Sequence, residues 1–193
     1  MTPDFACCCD NLTTVVVDSN NPKYTTLDGV LYSKDMKTLI CCGGGKSGAF
    51  NIPESVTTIS NSAVDGCTKL TSISIPNTVT SIGTWAFSNC KNVTAFKIPD
   101  NNNYTTIEQG VFNNCGTTEL IIPKNIKAIK SRNLQNPRIK KVTFADTSRQ
   151  WKMKLCSGGV TSDVAPTSVF SVTDTTKNAE YFVNCKFYEW TKQ

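Results

Sequence analysis

The chain has 193 residues, 39% of them hydrophobic and 18% charged. That balance supports a buried core and excludes a disordered tail. There is no histidine, which removes Ser-His and Cys-His nucleophile pairs, His general bases and His-containing metal sites together. The formal charge of +5 is unevenly spread, since residues 124–154 carry ten Lys/Arg against the single acid Asp146. No stretch approaches the ~18 uncharged apolar residues of a membrane-spanning helix. Residues 1–4 show no basic segment followed by an apolar run, so no signal peptide is expected in this sequence.

In chain order, Cys9, Leu12, Val15 and Val17 show the offsets of a repeat that becomes clearer downstream, so the chain is expected to open inside a repeat. Tyr24-Thr25-Thr26-Leu27 parallels Tyr104-Thr105-Thr106-Ile107. Val30-Leu31-Tyr32 and Thr38-Leu39-Ile40 flank residues 33–37 and predict a β-hairpin within a variant coil near residues 18–52. Gly43-Gly44-Gly45-Lys46-Ser47 superficially resembles a phosphate loop. The Walker spacing, however, places Ile40 where a glycine is required, and Ala49 to Pro53 reads as strand and turn. A flexible hairpin exit is the expected role.

From there the beat is regular. Ile52-Pro53 recurs as Ile75-Pro76, Ile98-Pro99 and Ile122-Pro123, with steps of 23, 23 and 24 residues. Cys67, Cys90 and Cys115 keep nearly the same step. Val56 and Ile59, Val79 and Ile82, Tyr104 and Ile107, and Ile126 and Ile129 form a third set. Val64, Phe87, Phe112 and Leu134 form a fourth. Each unit reads as one strand such as Leu70 to Ile75, a Pro-Asn turn, a short β-branched strand such as Val79 to Ile82, and a corner. One turn of helix is one way to build that corner. A single unit cannot bury its own apolar face, whereas stacked neighbours bury all of them. Residues 1–150 are therefore expected to form a β-rich right-handed solenoid of roughly six coils of about 23 residues, and residues 151–193 a C-terminal cap.

Ile-Pro-x-x-Val-x-x-Ile followed by Ala-Phe-x-x-Cys-x-x-Leu-x-x-Ile resembles the BspA-type, or Treponema pallidum-type, leucine-rich repeat. The matching stretches are Ile75 to Gly83, Ala86 to Ile98, and Ile52 to Ile75 with Val64 in place of Phe. The resemblance covers roughly residues 9–150. It implies an extracellular or surface-attached adhesion or recognition protein.

Cys9, Cys67, Cys90 and Cys115 fall at equivalent positions and are expected as a ladder of buried free thiols. Cys7-Cys8-Cys9 and Cys41-Cys42 place neighbours on opposite faces of a strand, so each cluster should expose a sulfur. The pairing of Cys7, Cys8, Cys41, Cys42, Cys156 and Cys185 stays open. No Cys-x-x-Cys occurs, and no metal or cofactor is expected.

Alternation along each strand points a row of side chains outward: Thr14 and Val16, Ser72 and Ser74, Ala95 and Lys97, Glu119 and Ile121, Lys141 and Thr143. With the basic segment, this gives the candidate partner-binding residues Ser72, Ser74, Lys97, Lys124, Lys127, Lys130, Arg132, Lys140, Lys141 and Thr143. A solvated face is the bland account of the lysines. The shortage of acids favours an anion-attracting patch. The expected function is binding of a protein or an anionic glycan, with no nucleic acid partner and no catalysis. A structural spacer and a carbohydrate-active enzyme are the alternatives, although no pair of carboxylates is placed by a recognisable motif.

Overall fold

A computed structural model describes residues 9, 11–133, 138–146, 151–155 and 188–192. The repeats stack as a β-solenoid of about five turns with about 22 residues in each. The count falls below six because the N-terminal partial repeat forms no strand of its own over residues 12–17. No helix occurs among the described residues.

The chain opens with a hairpin-bearing coil. β1 (Tyr24–Leu27) runs antiparallel to β2 (Val30–Ser33), which runs antiparallel to β3 (Thr38–Cys41). The expected hairpin is therefore present. The likeness of residues 24–27 to 104–107 holds in the turn before them, where Asn21 Oδ1 accepts from Lys23 N and Tyr24 N as Asn101 Oδ1 accepts from Asn103 N and Tyr104 N, but not in pairing, since β1 is an antiparallel edge strand and β8 (Thr106–Ile107) a parallel one. The solenoid then shows two faces. One carries β4 (Gly48–Asn51), β6 (Leu70–Ser74), β9 (Glu119–Ile122) and β11 (Lys141–Phe144). The other carries the shorter β5 (Thr58–Ile59), β7 (Ser81–Ile82), β8 and β10 (Ala128–Ile129). At the C-terminal end β13 (Tyr188–Lys192) lies antiparallel to both β10 and β12 (Trp151–Leu155).

The repeat residues supply one continuous core. Val56, Ile59, Val64, Leu70, Val79, Ile82, Phe87, Val93, Ile107, Phe112, Ile126 and Ile129 all belong to it. Phe87 and Phe112 stack at equivalent corners, with centroids 6.2 Å apart and planes 6° from parallel. Phe96 is wedged against both, at 5.6 and 4.9 Å. Leu134, the fourth member of that set, lies outside the described residues.

The corners are turns rather than helix, and left-handed backbone explains why. Ser62, Trp85, Gly110 and Arg132 have φ of 52°, 59°, 67° and 61°, each three residues past a buried isoleucine. Gly66, Asn89 and Asn114, each just before a cysteine, have φ of 74°, 57° and 51°. Two such residues per corner break any helical run. Ser62, Trp85 and Arg132 adopt this φ with a side chain, but at Gly110 a Cβ would stand 2.2 Å from the Trp85 ring, so the close approach is what calls for glycine there.

Cys67, Cys90 and Cys115 form the expected buried ladder, and all three are free thiols. Each donates to a carbonyl of the preceding coil: Cys67 to Cys42 O at 3.6 Å, Cys90 to Val64 O at 3.2 Å and Cys115 to Phe87 O at 3.1 Å. The fourth rung is Cys42 rather than Cys9, which is exposed. Cys9 precedes residues 11–17, which form no strand and lie against the hairpin coil, Gly45 N donating to Leu12 O and Val15 N to Gly29 O. The same contact corrects two further expectations. Cys41 and Cys42 are both buried, because Leu12, Val15 and Val17 pack over the Cys41 side while Cys42 enters the main core. Gly43, Gly44 and Gly45 are buried as well. A Cβ at Gly43 would lie 2.1 Å from Leu12 O, so the glycines let two backbones meet. Cys7, Cys8, Cys156 and Cys185 lie outside the described residues.

The strand expected over residues 93–98 reduces to a single bridge between Ile73 and Phe96. No ladder joins this segment to β9, and at the same step the opposite face has none between β7 and β8. The cause is in the spacing. Ile75 to Ile82 is seven residues, whereas Ile98 to Ile107 is nine. Cys90 to Ile98 is eight residues, whereas Cys115 to Ile122 is seven. One turn is lengthened and the following strand shortened, so both ladders lose register. The corner stays bonded, through Trp85 N to Gln109 O at 2.9 Å and Asn89 N to Asn113 O at 2.9 Å. On the opposite edge the Asn101 amide donates to Asn77 O and Val79 O at 2.9 and 2.8 Å.

Two outcomes follow from the core. Phe87→Ala should lower unfolding free energy by about 3–5 kcal/mol, read from urea denaturation; a loss under about 1 kcal/mol would mean that the ring does not sit in this stack. The Cys42 thiol and burial raise the pKa of Cys67, burial raises that of Cys90, and burial pushes Cys115 to about 12. A raised thiol pKa gives stability that is complete below the unfolded value of ~8.5 and is lost as pH climbs toward the folded one. The unfolding free energy from urea titration should hold steady from pH 7 to 8.5 and fall above it, by up to about 1.4 kcal/mol per pH unit for each buried thiol, and the midpoint should fall with it. A midpoint unchanged at pH 10 would contradict the buried ladder.

A candidate binding face on the parallel strands

Side chains that alternate with the core residues stand outward along the longer strands. Parallel registry places Ala49 beside Ser72 and Asn51 beside Ser74. It also places Glu119 beside Lys141 and Ile121 beside Thr143. The Ile73–Phe96 bridge sets Ala95 and Lys97 in the same row. All of these are exposed except Thr143, which is half-buried. Ser72, Ser74, Lys97, Lys141 and Thr143 are thus brought onto one face, as the alternation predicts. Thr14 and Val16 are exposed too, but on a segment without ladder pairing.

Sequence reasoning missed Ala49 and Asn51. The strand itself is expected over Ala49 to Ile52, but its coil is the variant one and lacks the Cys and Leu offsets that align the other strands, so its outward side chains are not placed in the row. It also missed a groove. Where the ladder is interrupted, Phe96, Ile98, Ile121, Pro123 and Ala145 line a depression of about 330 Å³, with Lys97 and Asp100 on its rim. Ile121 is 62% exposed there, an unusual position for a large aliphatic side chain.

Among its described residues, the basic segment is spread over different sides of the solenoid. Lys141 lies 3.7 Å from the Glu119 carboxylate, both largely in solvent. Such a pair contributes only ~0–1 kcal/mol, but it offsets the positive charge at this end of the row. Lys140 is exposed just before β11. Lys130 and Arg132 leave β10 for the corner, on the side of the other sheet. Lys124 and Lys127 fall at the turn edge between the two faces, in a cavity they share with Lys192. Nothing in the local sequence marks Lys192 as their neighbour, since pairing of β13 with β10 brings it there. No cluster of three or more metal-ligating side chains exists among the described residues.

The sequence model for the BspA type leucine-rich repeat region matches residues 42–157 in six copies. The chain belongs to this family. Its repeats are those of a leucine-rich family rather than of an enzyme family. Among curated proteins, none matches the sequence. Among solved structures, the chain is similar to the pneumococcal vaccine antigen PcpA, at 26% identity and a TM-score of 0.62 over 68% of this chain and 33% of that one. It is equally similar to a leucine-rich cell surface protein from Faecalibacterium prausnitzii A2-165, at 29% identity and a TM-score of 0.62 over 67% and 35%. A leucine-rich repeat protein from Bacteroides capillosus, at 19% identity and a TM-score of 0.55, covers 64% of this chain and 99% of its own length and shares the fold. The chain therefore spans about a third of the length of the first two proteins. Among the described residues, no helix is long and apolar enough to cross a membrane.

Proposed function

We propose that this leucine-rich repeat chain is a surface-exposed, extracellular recognition or adhesion module without catalytic activity. It binds a protein or glycan partner through the outward side of its longer strands, and residues 151–193 cap the solenoid. The observation that carries this reading is the exposed row Ala49/Asn51, Ser72/Ser74, Ala95/Lys97, Glu119/Ile121 and Lys141/Thr143. These side chains are mostly short, so a partner can approach the backbone along several coils. The row ends at an apolar depression beside Ile121, where one partner side chain can be desolvated. Similarity to a cell surface protein of the same repeat type supports the location.

The test is a glycan and matrix-protein array followed by variants against the partner it identifies. Ser72→Tyr with Ser74→Tyr should weaken binding about tenfold or more by filling the row. Lys140→Glu with Lys141→Glu should slow association, and added salt should do the same, because exposed charges are screened beyond ~8–10 Å. Lys34→Glu with Lys37→Glu, on the hairpin, is the comparison and should bind as the parent does. If the two strand-face pairs also bind as the parent does, recognition does not use this face.

A further inference from the structure

The lengthened turn that interrupts the ladders also builds a cavity. It lies on the turn edge, away from the strand face, with a volume of about 510 Å³. Asn102 and Thr105 of the long turn form one wall, and Lys124, Asn125 and Lys127 of the next turn form another. Asp146, just past β11, and Lys192, from β13, complete it. Two successive turns, the end of β11 and the C-terminal strand therefore converge on one polar hollow.

Its charges are unequal. Lys192 has a side chain only 10% exposed and donates to Asp146 Oδ2 at 2.6 Å. It also donates to Lys124 O at 2.9 Å. A lysine ammonium has three donors, so one N–H of this buried group finds no acceptor among the described residues. Asp146 is the only acid lining the cavity among the described residues, and it is engaged by Lys192. Lys124 and Lys127 pair with no carboxylate among the described residues. Among the described residues three ammonium groups thus face one carboxylate, an excess of two positive charges. The Thr105 hydroxyl and the Asn102 amide add neutral hydrogen-bonding groups of the kind that orient a small polar ligand.

From this we infer that the cavity is a binding site for a tetrahedral oxyanion, a sulfate or phosphate ester, held by Lys124, Lys127 and Lys192. The buried ammonium is fixed in place before binding, so little side-chain freedom is lost there. The site goes beyond the strand-face reading and does not depend on it.

The experiment uses the intact chain and inorganic sulfate and phosphate as probes, at constant ionic strength against chloride. Amide shifts followed by NMR should saturate, with the changes confined to residues 102–105, 124–127 and 192. Lys124→Gln with Lys127→Gln should weaken the anion about tenfold, the loss of two exposed charge contacts. Lys34→Gln with Lys37→Gln should leave its affinity unchanged. Galactose 6-sulfate and galactose 6-phosphate then distinguish the two esters. Shifts that never saturate, or equal affinity in the Lys124/Lys127 variant and the parent, overturn the site. Because the readout is the small anion and not the macromolecular partner, such a failure leaves the strand-face proposal standing.

Discussion

Coil-to-coil contact governs this molecule. Each unit has an apolar wall with no partner inside the unit, so every buried residue depends on the coil above or below it. Besides the β-ladders, three kinds of contact join neighbours. The phenylalanines stack and the thiols meet carbonyls one coil back, while corner amides donate across the step, as Phe87 N does to Val111 O at 3.1 Å. The corner contacts are the most persistent. They survive where both ladders lapse, because the left-handed residues at fixed places keep each corner in the same conformation whatever the length of the turn opposite.

That division of labour explains how the chain tolerates an irregular repeat. Two added residues in one turn and one removed before β9 would dislocate a fold held only by its ladders. Here the corner acts as a fixed spine and the slack is taken up at the far edge. Asparagine side chains bridge the gap there: Asn101 reaches back to Asn77 and Val79, and Asn125 donates to Pro99 O and Tyr104 O. The amide of asparagine suits this position because it can satisfy backbone carbonyls that a displaced strand no longer reaches. Both surface hollows, the groove at Ile121 and the cavity at Lys124, border this irregular step.

Much of this was legible in the sequence, because a repeat states its core several times. Spacing alone locates Ile59, Ile82, Ile107 and Ile129, Phe87 and Phe112, and Cys67, Cys90 and Cys115, and all are buried where the pattern places them. What the pattern could not show depends on non-local pairing. The N-terminal segment has repeat offsets yet forms no strand and packs on the hairpin coil, which leaves Cys9 exposed and buries Cys41 and the glycines of residues 43–45. The glycine run looked like a flexible exit, since sequence records the lack of a side chain but not the backbone of Leu12 that needs the space. Lys192 was invisible for the same reason, being joined to Lys124 only by the return of β13.

The basic segment shows how a charge count and a charge distribution differ. Ten cations crowd into residues 124–154 with one acid, and in an extended chain they would form a single positive field. A solenoid turns the chain through both faces and a corner within about 22 residues, so consecutive lysines are carried to different sides. Lys141 meets Glu119 from the coil before, and Asp146 is taken by a lysine from the far end of the chain. The positive charges left without a described acidic partner at the turn edge belong to Lys124 and Lys127, three residues apart and walled in by the lengthened turn. The irregularity of one coil, more than the abundance of lysine, is what concentrates charge at a place where an anion can be enclosed.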